Sequence, residues 1–437
     1  MAKKVLVMGL KKSGLAAIKL LLNYDYDITL TINNELSIAE RNELSLYNVK
    51  IYEKGHPLSL LDEEWCYIVK NPGISYNIPF VKEALNRNIK IISEIELAYQ
   101  LSNNIFLGIT GTNGKTTVTT LIYEILKAQL DDVYCGGNIG IPISDIVREH
   151  GDNNIIVSEL SSFQLMGIID FKPKIATILN LAPDHLDYMN SVEEYYESKL
   201  SIYFNQDEHD YFVLNIDDAL VQEYVKDIKA KIIRVSLNKK ADAYLENDFI
   251  YFKDEAIINI NDIKIIGKHN LYNIIIAVVY AKVMGIDNDV IRKVISNFKG
   301  VEYRLEKVDG LNNNCYYNDS KATTPDSTIT ALEALSKTDL ILIVGGYQKG
   351  LDNRPLINYL NKHANIKRLY TFGAIKDLFE DVAIETIKLE KLDMVIKDIL
   401  ENYHNQTILF SPATSSFDQY VNYEQRGEHF NKLVKGE

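Results

Sequence analysis

Residues 106–121 read FLGITGTNGKTTVTTL, and no other stretch of the chain restricts its fold so tightly. The apolar Ile105, Phe106 and Leu107 run into a turn made of Gly111, Thr112, Asn113 and Gly114. Lys115, Thr116 and Thr117 follow, then apolar Val118, Leu121, Ile122 and Ile125 at helical spacing. Strand, turn and helix start are the parts of a phosphate cradle. Glycines let successive N–H groups face one anion, the helix N-terminus adds partial positive charge, and Lys115 adds a full one. The Thr116 hydroxyl, directly after the lysine, is placed to hold the Mg²⁺ of a nucleotide. The strict spacing asks for glycine at position 109, where Ile109 stands, so this is a variant of the phosphate loop. A glycine-rich turn with a chance Lys-Thr is the bland alternative. It leaves the joint arrival of strand, turn, lysine, hydroxyls and helix unexplained.

A chain of 437 residues has room for about three domains of roughly 150 residues each. The net charge of −13 argues against a role in coating nucleic acid. Cys66, Cys135 and Cys315 are scattered and odd in number, so a disulfide framework is not expected and a reducing cytoplasm is. The apolar run in MAKKVLVMGL stops at Lys11 and Lys12, too short for a membrane span.

Apolar runs at 5–8, 28–32, 49–52, 66–69 and 89–92, with helical patterns at 16–22 and 80–86, predict a Rossmann-like α/β domain over 1–93. A central ATP-binding domain with a mainly parallel sheet is expected over 94–299. A second Rossmann-like domain is expected over 300–437. Polar clusters follow the predicted strands in each part. In an open α/β sheet those strand ends are where active-site groups stand.

In the first part, GLKKSG (9–14) keeps the outer glycines of a dinucleotide fingerprint but has Lys11 where the middle one belongs. A phosphate or nucleotide-sugar site and a plain βα turn both remain open there. NPG (71–73) by itself is only a turn. In the second part, Glu159 follows a strand and could complete a metal shell with Thr116, or cap a helix N-terminus. His185 could touch a metal or a transferred phosphoryl group, or be structural. Lys199, in a helix expected over 192–204, reads as a solvated charge. In the third part Arg304, Lys321 and Lys349 are candidates for anion contacts or ordinary surface cations.

Taken in order, GLKKSG, NPGI, SEIEL, GITGTNGKTT, GGNIG, ELSSFQL, NLAPDHLDYM, ESKLSIY, GKHNLYN, EYRLE, YNDSKATTP, VGGYQKG, SPATSSFDQY and EQRGEHF resemble the Mur ligase family along the whole chain. The family reaction is ATP-driven amide formation through an acyl phosphate. The GLKKSG start and SPATSSFDQ ending imply the member that adds D-glutamate to UDP-N-acetylmuramoyl-L-alanine in cytoplasmic peptidoglycan precursor synthesis. The alternatives are another amino-acid ligase of the family and a nucleotide switch read by a partner protein.

Carried over residue by residue, the resemblance implies that the 111–117 loop, with Lys115 and Thr116, binds the phosphates of ATP. Thr116 and Glu159 would hold one Mg²⁺. His185 and a carbamylated Lys199 would hold a second. Asn270, Arg304 and Asp319 would contact the nucleotide. Leu10, Ser13, Asn34, Gly73, Asn138 and His185 would serve the UDP-sugar substrate. Lys321, Thr323, Lys349, Ser416 and Tyr423 would surround D-glutamate. Where many members have an acidic residue for the uracil, this chain has Asn33 and Asn34. A monomer that binds neither nucleic acid nor membrane is expected.

Overall fold

The computed structural model describes residues 2–182, 191–347 and 350–437. Two predicted site residues, His185 and Lys349, lie outside them. The chain forms two compact units, one of Met1–Asp262 with Leu271–Ser296, the other of Ile263–Asn270 with Asn297–Glu437.

The first unit carries two sheets. In the five-stranded sheet the order is Val49–Tyr52, Tyr26–Thr31, Lys3–Met8, Tyr67–Lys70, Ile91–Ile92, all parallel. Parallel strands covered on both faces need continuous apolar runs, and Val5, Leu6, Val7 and Met8 are all fully buried. Strand order reverses at Lys3–Met8, so the turns after it and after Tyr67–Lys70 open side by side. The nine-stranded sheet sets Ile105–Thr110 between Ile155–Glu159 and Ile175–Ile178, again parallel. Three strand ends therefore deliver the phosphate loop, Glu159 and the segment after Ile178 to one place.

One of the core clusters of this unit joins helices from both sheets. Ala17, Ile18 and Leu21 of the helix Lys12–Leu21 share a cluster with Ile143, Ile146 and Val147 of the helix Ile143–His150. The helix Glu94–Gln100 adds Ile95, Leu97 and Ala98 to it. Two carboxylates on that helix are buried and used. Glu96 accepts from the amides of Ile169, Asp170 and Phe171 at 3.0, 2.8 and 2.9 Å. Glu94 accepts from the Ser144 amide at 2.5 Å, and burial pushes its carboxyl up to about 7.

The sign of the Glu94 shift makes a prediction. An acid whose pKa is raised on folding keeps its proton longer in the native state. Its penalty is absent below the unfolded value, grows as pH rises through the folded value near 7, and is complete above it. Glu94→Gln removes the titration. The variant is therefore expected to gain on the wild type by on the order of 3 kcal/mol between about pH 5 and about pH 8, read from paired thermal unfolding midpoints. A pH-independent difference would show that Glu94 does not titrate in this range.

The second unit holds a six-stranded sheet ordered Glu306–Asp309, Cys315–Asn318, Thr407–Phe410, Leu340–Gly345, Ile366–Phe372, Thr386–Leu389. All pairs are parallel except the first. Period-two alternation sorts its core. Ile341, Ile343, Ile408 and Phe410 face one helical layer; Leu340, Leu342, Val344 and Leu409 face the other. Here too three adjacent strands end together, and the loops starting at Asp319, Ser411 and Gly346 converge.

The structure departs from the sequence reading in detail. The strand expected at 89–92 shrinks to Ile91–Ile92. The helix expected over 192–204 is the α-helix Val192–Leu200 followed by a 3₁₀ turn, Ser201–Tyr203. The helix Ile38–Leu44, closed by a Ser37–Glu40 capping box, and the strands Lys231–Ser236, Ala243–Glu246, Phe249–Phe252 and Glu255–Asn259 were not anticipated. Among the described residues no helix is long and apolar enough to cross a membrane.

Candidate functional site

The phosphate loop leaves the strand Ile105–Thr110 and ends at Gly114, the N-cap of the helix Lys115–Lys127. Gly114 has φ +84°, and a Cβ there would lie 2.6 Å from Asn273 Oδ1. Only glycine fits both the left-handed conformation and the amide against it. Lys115 Nζ donates to the carbonyls of Gly111 and Thr112 at 2.8 and 2.9 Å. Its ammonium is thus folded back over the loop whose amides would meet an anion.

The loop is fastened to the segment after Ile178. The Asn113 amide donates to Asn180 Oδ1 at 2.8 Å, and Asn180 Nδ2 returns a bond to the Asn113 carbonyl at 3.0 Å. Thr112 Oγ1 donates to the Ala182 carbonyl at 3.1 Å. Asn180 and Ala182 are thereby tied to the phosphate loop. Asn180 and Asn273 stand in the stretches NLAPDHLDYM and GKHNLYN, but neither was given a role from sequence, because each acts on the phosphate loop from a distant part of the chain.

Glu159 ends its strand in register with Ile109, two residues before Gly111. Asn138 Nδ2 donates to Glu159 Oε1 at 2.9 Å, and the Asn138 amide donates to the Glu159 carbonyl at 2.8 Å. Glu159 is 2% exposed, yet its Oε2 is buried without a hydrogen-bond partner among the described residues. A buried carboxylate oxygen with no donor is costly unless a cation meets it. Lys199 is 1% exposed, with Nζ 3.9 Å from the Tyr195 ring centroid, so the solvated reading of this lysine does not hold. Among the described residues no three His, Cys, Asp or Glu side chains gather as a ready metal cluster. Thr116 and the open oxygen of Glu159 are oxygen donors that could hold a metal ion.

In the five-stranded sheet the two turns at the switch point meet. Asn71 Nδ2 donates to Ser13 Oγ at 2.9 Å, and Asn71 Oδ1 accepts from the Gly73 amide at 3.1 Å. NPG is therefore more than a turn: it braces GLKKSG. A Cβ on Gly14 would fall 1.9 Å from the Gly9 carbonyl, which explains why the last glycine of that motif is kept. Lys70, beneath this turn, donates to the Ile74 carbonyl at 2.7 Å, and burial lowers its pKa to about 8. Asn34 and Gly73 are exposed, and Leu10 and Ser13 half-buried, at this same end of the sheet. Asn138 belongs with Glu159 and the phosphate loop.

The second unit assembles its own polar pocket. Asp319 accepts from the Leu305 amide at 3.1 Å and from Ser411 Oγ at 2.7 Å, and burial raises its carboxyl to about 7. Arg304 lies between Tyr303 and Leu305, both at positive φ (62° and 49°), a strained backbone of the kind that clusters at functional sites. Lys321 Nζ sits 3.8 Å from the Tyr423 ring centroid. Ser416 is buried in the 411–416 loop, which is laced to its neighbour by Gly345 N to Pro412 O at 3.1 Å and Tyr347 N to Ser415 O at 2.8 Å. Thr323 is half-buried on the 319–324 loop. Asn270 Nδ2 donates to the Ile266 carbonyl at 2.7 Å. Lys321 and Tyr423 thus come together beside Asp319, and Ser416 lies on the loop that Ser411 begins.

A glycine cradle with a lysine at a helix start, an open carboxylate oxygen beside it, and cation-bearing loops at the ends of a second parallel sheet define a nucleotide-dependent α/β enzyme. The family model described as "Mur ligase middle domain" matches residues 109–281. Curated relatives named UDP-N-acetylmuramoylalanine--D-glutamate ligase match nearly end to end. That of Geobacillus sp. (strain WCH70) is 42% identical, over 98% of this chain and 96% of its own. That of Bacillus cereus (strain G9842) is 38% identical, over 99% and 97%. The chain belongs to the Mur ligase family. Solved structures show the same fold. UDP-N-acetylmuramate-alanine ligase MurC of Thermotoga maritima matches with a TM-score of 0.59 at 20% identity, over 98% of both chains. MurF of Acinetobacter baumannii matches with a TM-score of 0.61 at 16% identity, over 78% of this chain and 80% of its own.

Proposed function

We propose that the protein joins D-glutamate to UDP-N-acetylmuramoyl-L-alanine at the expense of ATP, in the cytoplasm, as a monomer. The near full-length relatives carry that name. The observation that supports a phosphoryl-transfer site most directly is the buried Oε2 of Glu159, without a partner among the described residues, on a residue in register with the strand that feeds the phosphate loop.

A carboxylate is a poor electrophile, because expelling oxide from it is prohibitive. In the proposed reaction an oxygen of the substrate carboxylate attacks the γ-phosphorus, the bond to the bridging oxygen breaks, and ADP leaves. The amine of D-glutamate then attacks the acyl carbon and loses a proton as the C–N bond forms, and inorganic phosphate departs. Loop amides and Lys115 hold the phosphates and offset the charge that moves onto the leaving oxygen. Thr116 and Glu159 would hold one Mg²⁺, and His185 with a carbamylated Lys199 a second. When bound, the ions neutralise phosphate charge. A carbamate would convert the buried Lys199 ammonium into an anionic ligand. Leu10, Ser13, Asn34, Gly73 and Asn138 would receive the UDP-sugar. Asn270, Arg304 and Asp319 would receive the nucleotide. Lys321, Thr323, Lys349, Ser416 and Tyr423 would receive D-glutamate. The three sheets would be three functional domains, bounded near 93 and 299.

The test is phosphate release from Mg-ATP with UDP-N-acetylmuramoyl-L-alanine, adding D-glutamate, L-glutamate, L-lysine or meso-diaminopimelate in turn. Release that requires both the UDP-substrate and D-glutamate is expected. Release with another amino acid would keep the ligase and replace the acceptor. ATP binding with no acceptor-dependent release would favour a nucleotide switch.

A further inference from the structure

We propose that Arg426 is a positioning residue for the incoming amino acid, a fork that sets the Lys321 loop against the loop beginning at Gly345. The inference rests on the reading of this pocket as the acceptor site.

Arg426 belongs to the helix Tyr423–Lys435 and is 0% exposed. Its guanidinium makes no hydrogen bond to a carboxylate among the described residues. Nε donates to Ser320 Oγ at 3.1 Å, Nη2 to the Ser320 carbonyl at 2.8 Å, and Nη1 to the Gly345 carbonyl at 3.4 Å. The ring of Phe410 closes the other side, its centroid 6.0 Å from Cζ. Asp418 and Asp319 act on the charge only at longer range, and burial lowers its pKa to about 10, so it remains a cation at neutral pH. A buried cation that spends its donors on carbonyls and a hydroxyl is an expensive way to fill a core, and a neutral side chain of similar volume would pack there at lower cost.

Its contacts say what the cation does. Ser320 lies between Asp319 and Lys321, and its hydroxyl donates to the Tyr423 carbonyl at 2.9 Å. Lys321 stands over the Tyr423 ring. Gly345 opens the loop that leads to Lys349. Gly346, next in that loop, is packed so closely that a Cβ would meet Arg426 Nη1 at 2.9 Å. One planar fork therefore ties the Ser320 and Gly345 backbones together from the helix that carries Tyr423, and holds positive charge beside loops proposed to receive an amino acid with two carboxylates. Lysine has the charge without the fork and cannot reproduce the spacing.

The test compares steady-state constants for wild type, Arg426→Lys and Arg426→Met, with thermal midpoints alongside. The KM for D-glutamate is expected to rise about 10-fold in Arg426→Lys and about 100-fold in Arg426→Met, while the KM for the UDP-substrate stays within about twofold. Arg426→Ala should recover part of its D-glutamate KM when guanidinium ion is added at concentrations that leave the wild type unchanged. If Arg426→Met or Arg426→Ala does not fold, Arg426→Lys decides alone. A wild-type D-glutamate KM in Arg426→Lys, or all constants falling together with the thermal midpoint, overturns the inference. If wild type proves to use another amino acid, the acceptor assignment fails but the inference is decided on the KM of that acid. If no amino acid drives phosphate release, both fall.

Discussion

Replacing Lys115 with alanine is expected to lower kcat by about 10³-fold while leaving the thermal midpoint within a few degrees of wild type. The two halves of that expectation have separate physical causes. Lys115 donates to the neutral carbonyls of Gly111 and Thr112. Thr112 is half-buried and Gly111 buried, and bonds to neutral carbonyls contribute only about 1 kcal/mol each to net stability. The catalytic loss is larger because charge moves from the γ-phosphate to the leaving oxygen during transfer. In the proposed reaction the ammonium at the helix start would offset that charge. Lys115→Arg should fail almost as badly. Its planar fork is wider than an ammonium, and the loop is tightened around Gly114 by the amide of Asn273. Phosphate release and a thermal melt on the same preparations decide it. Activity within about tenfold of wild type in Lys115→Ala would remove the lysine from the transferring phosphoryl group.

The phosphate loop was legible because its parts are contiguous: strand, turn, lysine and helix all fall between Ile105 and Lys127. The first and third sheets were legible because parallel strands buried on both faces leave continuous apolar runs. The edge of the nine-stranded sheet was not. Ala243–Glu246, Phe249–Phe252 and Glu255–Asn259 form antiparallel pairs joined by Asn247-Asp248 and Lys253-Asp254. All four turn residues take positive φ, as the two-residue hairpin turns with matching twist require. None of them is the glycine that usually signals such a turn. Pairing across the fold was equally hidden. Asn71 braces Ser13 over 58 positions, Asn180 braces Asn113 over 67, and Arg426 reaches Ser320 over 106. Sequence spacing carries no trace of such contacts; strand order produces them, by ending adjacent parallel strands at one edge. Lys199 fails in the other direction. Its helix reads as polar, yet the lysine is buried against Tyr195. Only the family resemblance pointed inward.

Glu159 separates a catalytic from a structural carboxylate by the direction in which stability moves. One oxygen accepts from Asn138; the other is buried without a partner among the described residues. An unmade bond of that kind costs about 1–3 kcal/mol, more where the group is charged, so the cost is smaller for a neutral group in its place. Glu159→Gln keeps a carbonyl oxygen for Asn138 and nearly the same volume. It is therefore expected to be as stable as wild type or more so, while kcat falls about 10²-fold and the apparent Mg²⁺ requirement rises at least about tenfold. Glu159→Ala, which also strands Asn138 Nδ2, should lose activity to the same degree and lose stability as well. A carboxylate held for structure would give the reverse: Glu159→Gln destabilised, with its Mg²⁺ dependence unmoved. Titrating phosphate release with Mg²⁺ in the two variants, and melting each without nucleotide, tells the cases apart. Sites that do chemistry on charged groups are left with a group unsatisfied in the empty protein, because the partner it is shaped for arrives with the substrate.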